Sequence, residues 1–403
     1  MKRYRFVFLL LAVVAATSCV YDYQPQIDGE GGYLIVEGNI VIGGQTEIST
    51  SWSWSLVDTT QTDERWRILA SNKMHIEASD GTRYENRNAA AGSGYYGGYY
   101  GGGSRGVFDL READPSLEYR LVIENEKGTY VSSWASPLPP GQIDSLSYRI
   151  SEDKTTMSIL VAAHSDNTRD SYYRWTVEEK WEYHADIRSL YKYVEEHGQG
   201  NIVPLEEGES LYYCWSSGRR PEIMTGTTLG LADDRLADYQ LYTVGNHDAR
   251  MSILYRADVR QMRIPEEAWR YWQVMKRNSE DVGGLFSPEP SELRGNIVCL
   301  ERPDELVLGY VGVMSVTTER LYIKSYEARF YKAPRTVLPT PDTLNSPSEW
   351  RKAFQNGWGP ADIVWDESGS RIIGYDWWPM YCLDCRTKGG TKNRPADWPN
   401  SDY

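Results

Sequence analysis

Short runs rich in Tyr, Trp, Val, Ile and Thr, each closed by Gly, Pro, Asn or Asp, recur along most of this chain. No other feature narrows the fold as much, because such residues fit a pleated, half-buried surface and such closures force turns. Tyr33–Ile42 (YLIVEGNIVI) ends at Gly43-Gly44, Thr46–Trp54 follows, and Lys73–Ala78 ends at Asp80-Gly81. Tyr119–Glu124 runs through Asn125–Gly128 into Thr129–Trp134, the pattern of a hairpin. This spacing predicts an immunoglobulin- or fibronectin-like β-sandwich over 33–137. Pro137-Leu138-Pro139-Pro140-Gly141 then interrupts strand pairing, since proline lacks the backbone donor.

A second, larger β-rich domain is expected over 141–403. Its candidate strands are Ile143–Ile150, Met157–Ala163, Tyr172–Tyr183, Tyr239–Val244, Met251–Met262, Val307–Thr317 and Arg320–Ser325. In Met251–Met262, residues Tyr255, Ala257, Val259 and Gln261 share one face. One helix starts at Pro265-Glu266-Glu267, with Trp269, Trp272 and Met275 on one side. A shorter one starts at Ser346-Pro347-Ser348-Glu349, a capping-box pattern, and stops at Gly357. Helices do not alternate regularly with strands, which argues against a doubly wound α/β fold. The expected class is mainly β.

The N-terminus points to the compartment. Lys2, Arg3 and Arg5 precede the apolar run Phe6–Ala16, and Ala16-Thr17-Ser18-Cys19 follows. The run is short for a permanent bilayer span, which needs about 20 residues. Residues 1–18 therefore read as a signal peptide, and Cys19 reads as the acylated first residue of a bacterial lipoprotein. Residues 19–32 are polar with Gly and Pro and read as the tether. The formal net charge is −14, and removal of the leader takes it to roughly −17. So acidic a chain lacks the basic surface that nucleic-acid binding demands.

With Cys19 acylated, Cys214, Cys299, Cys382 and Cys385 remain, an even set in an oxidising compartment. Three connectivities are open, and we expect Cys214–Cys299 with Cys382–Cys385. A redox role for the CxxC needs a strand-to-helix setting, and a zinc site needs further ligands; neither is evident near this Trp- and Gly-rich tail.

Among candidate sites, the loop 92–106 (GSGYYGGYYGGGSRG) sets Tyr95, Tyr96, Tyr99 and Tyr100 on a mobile backbone. Flat rings with hydroxyls suit stacking on a sugar or docking on a partner. Gly245-Asn246-His247-Asp248 resembles a metallophosphatase fragment, but the chain has only 5 His and lacks the other ligand motifs. No serine is read as a nucleophile elbow, and no carboxylate pair is singled out. No catalytic residue, metal or cofactor is expected.

The later motifs carry a family resemblance. Tyr213-Cys214-Trp215 is followed by Ala268-Trp269-Arg270-Tyr271-Trp272, Gly284-Leu285-Phe286-Ser287-Pro288, Gly295-Asn296-Ile297 and Val307-Leu308-Gly309-Tyr310. Cys382-Leu383-Asp384-Cys385-Arg386, Gly389-Gly390-Thr391 and Pro395-Ala396-Asp397-Trp398 close the series. This order resembles a Bacteroidetes outer-membrane lipoprotein family, domain of unknown function 4249, with the CxxCR run as its most specific part. The resemblance implies a non-enzymatic lipoprotein anchored in the outer membrane, at the cell surface, that partners a TonB-dependent receptor in nutrient capture. Alternatives are a free-standing glycan- or protein-binding adhesin and an envelope hydrolase.

Overall fold

Side chains alternate across each pleat and sort the N-terminal runs into facing sheets. The computed structural model describes residues 32–53, 72–87, 104–165, 170–280, 294–334 and 337–399. One sheet runs in the order Val307–Leu308, Leu34–Gly38, Gln45–Trp52, Ser104–Asp109. The other runs Ile297–Cys299, Gly128–Ser132, Tyr119–Asn125, Lys73–Ala78, Arg83–Glu85. Val36, Ile48 and Phe108 from the first meet Ile76, Leu121 and Tyr130 from the second in one buried cluster. The Tyr119 hydroxyl donates to Asp114 O at 2.6 Å, pinning the chain where it enters the sheet. The mainly β expectation stands.

This first sandwich extends beyond 33–137. Residues 295–314 return from far along the chain and complete both of its sheets. Ile297–Cys299 pairs antiparallel with Gly128–Ser132, and Val307–Leu308 pairs parallel with Leu34–Gly38. Val313–Met314 pairs parallel with Ile40–Val41. The continuous strand expected over Val307–Thr317 is therefore broken, because Gly309 to Gly312 cross from one partner strand to the next. Asn296 staples the crossing: its Nδ2 donates to Val311 O and its Oδ1 accepts from Val311 N, each at 2.8 Å. Gly309 has φ +121°, and a Cβ there would lie 2.0 Å from Val36 O. We expect Gly309→Ala to cost about 1–3 kcal/mol in chemical denaturation, since both the φ and the backbone contact must relax. Gly43→Ala, in open space but also at positive φ, separates the two effects.

A second sandwich follows the proline linker. One sheet runs Arg235–Gly245, Thr156–His164, Gln142–Ile150. The facing sheet runs Tyr213–Arg219, Tyr172–His184, Leu254–Ile264, Thr317–Lys324, with Met224–Thr227 also on Tyr172–His184. Met157, Ile159 and Val161 pack on Trp175, Val177 and Val259. Tyr255, Ala257, Val259 and Gln261 face this core as read, and Gln261 Oε1 accepts from Trp175 Nε1 at 2.9 Å.

The long helix Glu266–Glu280 lies on the outer face of the larger sheet through Ala268, Trp269 and Trp272, against Met262 and Ile264. The helix Pro347–Gln355 carries the capping box, with Ser346 and Glu349 both in place. It accompanies a small sheet of Asp342–Leu344, Ile372–Pro379 and Trp358–Trp365. Among the described residues, no helix is long and apolar enough to cross a membrane.

Candidate ligand-binding cleft

Four chain segments meet beside the small sheet. The stretch Ser189–Tyr193 enters the hairpin Tyr191–Glu196/Gln199–Pro204. Ser189 Oγ lies 2.6 Å from Tyr191 O and 2.8 Å from Pro360 O, tying that stretch to Trp358–Trp365. Leu190 N donates to Ala361 O at 2.8 Å, and Leu205 N donates to Leu190 O at 2.9 Å. Met380 N donates to Gly357 O at 2.8 Å and starts the turn Met380–Leu383. Between these segments lies a small, partly open cleft of about 110 Å³. That volume lies below the usual range for drug-sized ligands and suits a small ligand or one projecting group of a larger one.

Its walls are Tyr191, Tyr193, Leu211, Phe354, Met380 and Leu383. Tyr193 and Phe354 have ring centroids 4.9 Å apart, and Tyr193 also leans on Trp377 at 6.1 Å. Lys192 and Glu209 form an ion pair on the lining. The Lys192 hydrogen bond, with that of the Glu206 backbone N–H, holds the Glu209 carboxyl below its usual range. The arrangement supplies an apolar, aromatic bed plus one cation and one anion. It suits holding a ligand with a flat apolar body and a polar rim.

Sequence reasoning missed this cleft. Its residues are up to nearly 200 positions apart along the chain, and only the Tyr/Trp density near 350–383 hints at it. Tyr95, Tyr96, Tyr99, Tyr100 and Cys19 lie outside the described residues. Gly245-Asn246-His247-Asp248 is turn chemistry. Asn246 Nδ2 donates to Lys154 O at 2.8 Å, His247 Nδ1 lies 2.8 Å from Lys332 O, and Asp248 caps the turn Ala249–Met251. The letters Gly-x-Ser-x-Gly do occur, at Gly102 to Gly106, but Ser104 begins a sandwich strand opposite Thr50. It does not sit at a strand-to-helix elbow.

The cysteine pairing differs from expectation. Cys214 bonds Cys385, while Cys299 and Cys382 are buried and unpaired. Cys299 belongs to the core of the first sandwich, Cys214 to a small cluster on the second, so they do not meet. The tail after Met380–Leu383 turns Cys385 toward the strand Tyr213–Arg219. Cys385 N donates to Leu211 O at 2.9 Å, and Tyr183 Oη donates to Cys385 O at 3.0 Å. Cys382 is buried within that turn without a sulfur partner, and burial pushes its thiol upward.

A second polar group, also unforeseen, is closed. Glu179 sits in the core of the second sandwich, 2% exposed. It accepts from Tyr255 Oη and from Arg250 Nη1 at 2.6 Å, with Arg220 Nε at 3.3 Å. Tyr242 Oη lies 2.7 Å from Tyr255 Oη, and Arg220 stacks on the Tyr242 ring at 4.1 Å. Burial pushes both tyrosine hydroxyls above their usual range. With its oxygens engaged, Glu179 holds strands together and offers nothing to a ligand.

No curated protein matches the chain. A family model does, over residues 20–320, which span the first sandwich and the second as far as the middle of the strand Thr317–Lys324; the CxxCR run, on which the resemblance leaned most, lies beyond the matched span. By that match, the chain belongs to the family described as domain of unknown function DUF4249.

Proposed function

We propose that this protein is a non-enzymatic outer-membrane lipoprotein, tethered through Cys19, that holds a small ligand and serves as the accessory partner of a TonB-dependent transporter. The observation that carries the binding role is the aromatic cleft with its Lys192–Glu209 pair. A bed of this kind retains a ligand by apolar contact and orients it by a few polar groups. The leader, the small residues before Cys19 and the polar tether support the anchor. Membership of the family supports the transporter partnership by analogy alone.

The test is purification of tagged protein at native expression from detergent-solubilised membranes. A β-barrel receptor is expected to co-purify, and Cys19→Ser is expected to move the protein out of the membrane fraction. Repeated recovery of the wild-type protein alone overturns the partnership. The aromatic walls also favour a free-standing glycan binder as a second reading. That reading expects saturable glycan binding by the isolated protein, lost on Phe354→Ala, with no barrel recovered.

A further inference from the structure

Cys382-Leu383-Asp384-Cys385 sets two sulfurs three positions apart, and the fold gives them different fates. The strand Ile372–Pro379 runs directly into the helical turn Met380–Leu383, and Asp384 leaves that turn extended, at φ −112° and ψ 104°. A helical residue followed by an extended one is the geometry of a type VIII turn, whose ends lie within about 7 Å at the backbone. A disulfide spans Cα distances up to about 7 Å. Cys385 is bonded to Cys214, 171 positions away, while Cys382 keeps a free thiol one short turn from that bond.

Cys214, Cys382 and Cys385 are all fully buried. Burial keeps dissolved thiols away from the disulfide and leaves the neighbouring thiol as the attacker that needs no path from solvent. Burial and the Asp186 carboxylate push the Cys382 thiol up, while the Tyr381 hydroxyl and Lys388 act the other way. Attack by Cys382 is therefore slow at neutral pH and quickens as pH rises, because the thiolate is the nucleophile.

The same sulfurs stand between walls of the aromatic cleft. Met380 and Leu383, on either side of Cys382, line it, and so do Ser189 and Leu211. Cys382 O accepts from Ile187 N at 2.9 Å, close to the Ser189 wall, and Cys385 N donates to Leu211 O at 2.9 Å. The Cys214–Cys385 bond thus clamps the Met380–Leu383 wall to the strand Tyr213–Arg219, which follows Leu211.

We propose that Cys214, Cys382 and Cys385 form an internal thiol–disulfide switch in which Cys382 displaces Cys214 from Cys385 and unclamps the cleft. This rests on the reading of the cleft as a ligand site. Cys382 gives its proton to water and its sulfur forms a bond to Cys385 Sγ. The Cys214–Cys385 bond breaks, and Cys214 Sγ leaves with the electron pair and takes up a proton. One disulfide and one thiol are present before and after, so no oxidant or reductant is consumed. A small ring replaces the long link, and the covalent hold on the strand Tyr213–Arg219 is lost.

The test maps thiols in the full-length protein with no ligand present. The protein is held without oxidant or reductant at neutral and at mildly alkaline pH, quenched in acid, denatured, labelled with a maleimide and mapped by peptide. Cys214 is expected to gain label in step with its loss at Cys382, faster at alkaline pH and at a rate independent of protein concentration. Cys382→Ser and Cys382→Ala are expected to abolish the gain at Cys214. Cys214→Ser, treated with glutathione disulfide, is expected to isolate the Cys382–Cys385 form. Hydrogen exchange on that form is expected to show lost protection in peptides covering Ile187 and Met380 to Cys385, with Thr156–His164 unchanged. Cys214 that never gains label, a gain that survives loss of Cys382, or unchanged protection beside the cleft each overturns the switch. Where Cys214→Ser does not fold, label transfer in the wild type and in the Cys382 variants decides the matter. The label map needs no ligand, so its failure leaves ligand binding untouched, and failure of ligand binding leaves the map unchanged.

Discussion

Glu179→Ala is expected to lower the free energy of unfolding by about 3–5 kcal/mol, measured by urea denaturation monitored through Trp fluorescence. The reason lies in what the substitution leaves behind. Arg250 keeps Asp248, to which Nη2 donates at 2.5 Å, so it is not orphaned. Arg220 loses its buried carboxylate and keeps Thr243 O at 3.1 Å, the partly exposed Glu222 at 3.3 Å and the Tyr242 ring. Tyr255 loses the acceptor of its hydroxyl inside the core. A buried donor without its acceptor costs about 1–3 kcal/mol, and more next to a charge. Tyr255→Phe in the Glu179→Ala background should therefore cost less than Tyr255→Phe alone, a coupling that a double-mutant cycle reads directly. Glu178→Ala, one residue away on the opposite face and 45% exposed at the side chain, is expected to change stability by no more than about 0.5 kcal/mol. Equal effects at 178 and 179 would contradict the inward placement of Glu179.

Replacing Cys214 and Cys385 together by Ser is expected to cost about 2–5 kcal/mol, because the bond closes a long loop and restrains the unfolded chain. The sequence separation is 171 residues. The effect should also be local. Trp215 and Thr391 exchange backbone hydrogen bonds of 2.8 and 2.9 Å beside the bond, and Trp398 reaches Glu182 a few residues later. Limited proteolysis should therefore cut the tail beyond residue 385 faster in the double variant. Non-reducing peptide mapping is expected to yield a Cys214–Cys385 species. Alkylation of the denatured, unreduced protein should label Cys299 and Cys382. A Cys214–Cys299 peptide would instead restore the pairing expected from the sequence.

The sandwich class, the hairpin around Asn125–Gly128, and both longer helices were legible because their signals are local. A pleat repeats every second residue, and a capping box needs only Ser346 and Glu349. In the structure the same alternation turns Tyr173, Trp175 and Val177 of the strand Tyr172–His184 inward. Glu179 follows them by the same alternation, yet nothing nearby in sequence announces the arginines that pair it, which arrive from loops at 220 and 250. The break at Gly309 was hidden for a different reason. Val307, Leu308 and Val313 read as one apolar run, and only contact with Val36 and Ile40 shows that they serve different strands.

The chain by itself determined its secondary-structure class and its charge, since each depends on residues that are neighbours or on simple sums. Tertiary structure decided the rest: which thiols meet, how residues 295–314 complete the first sandwich, and how the cleft comes together. Those outcomes depend on long-range register and on the burial of groups whose partners are a hundred or more residues away, and a loop of that length closes only through the summed packing of whole sheets.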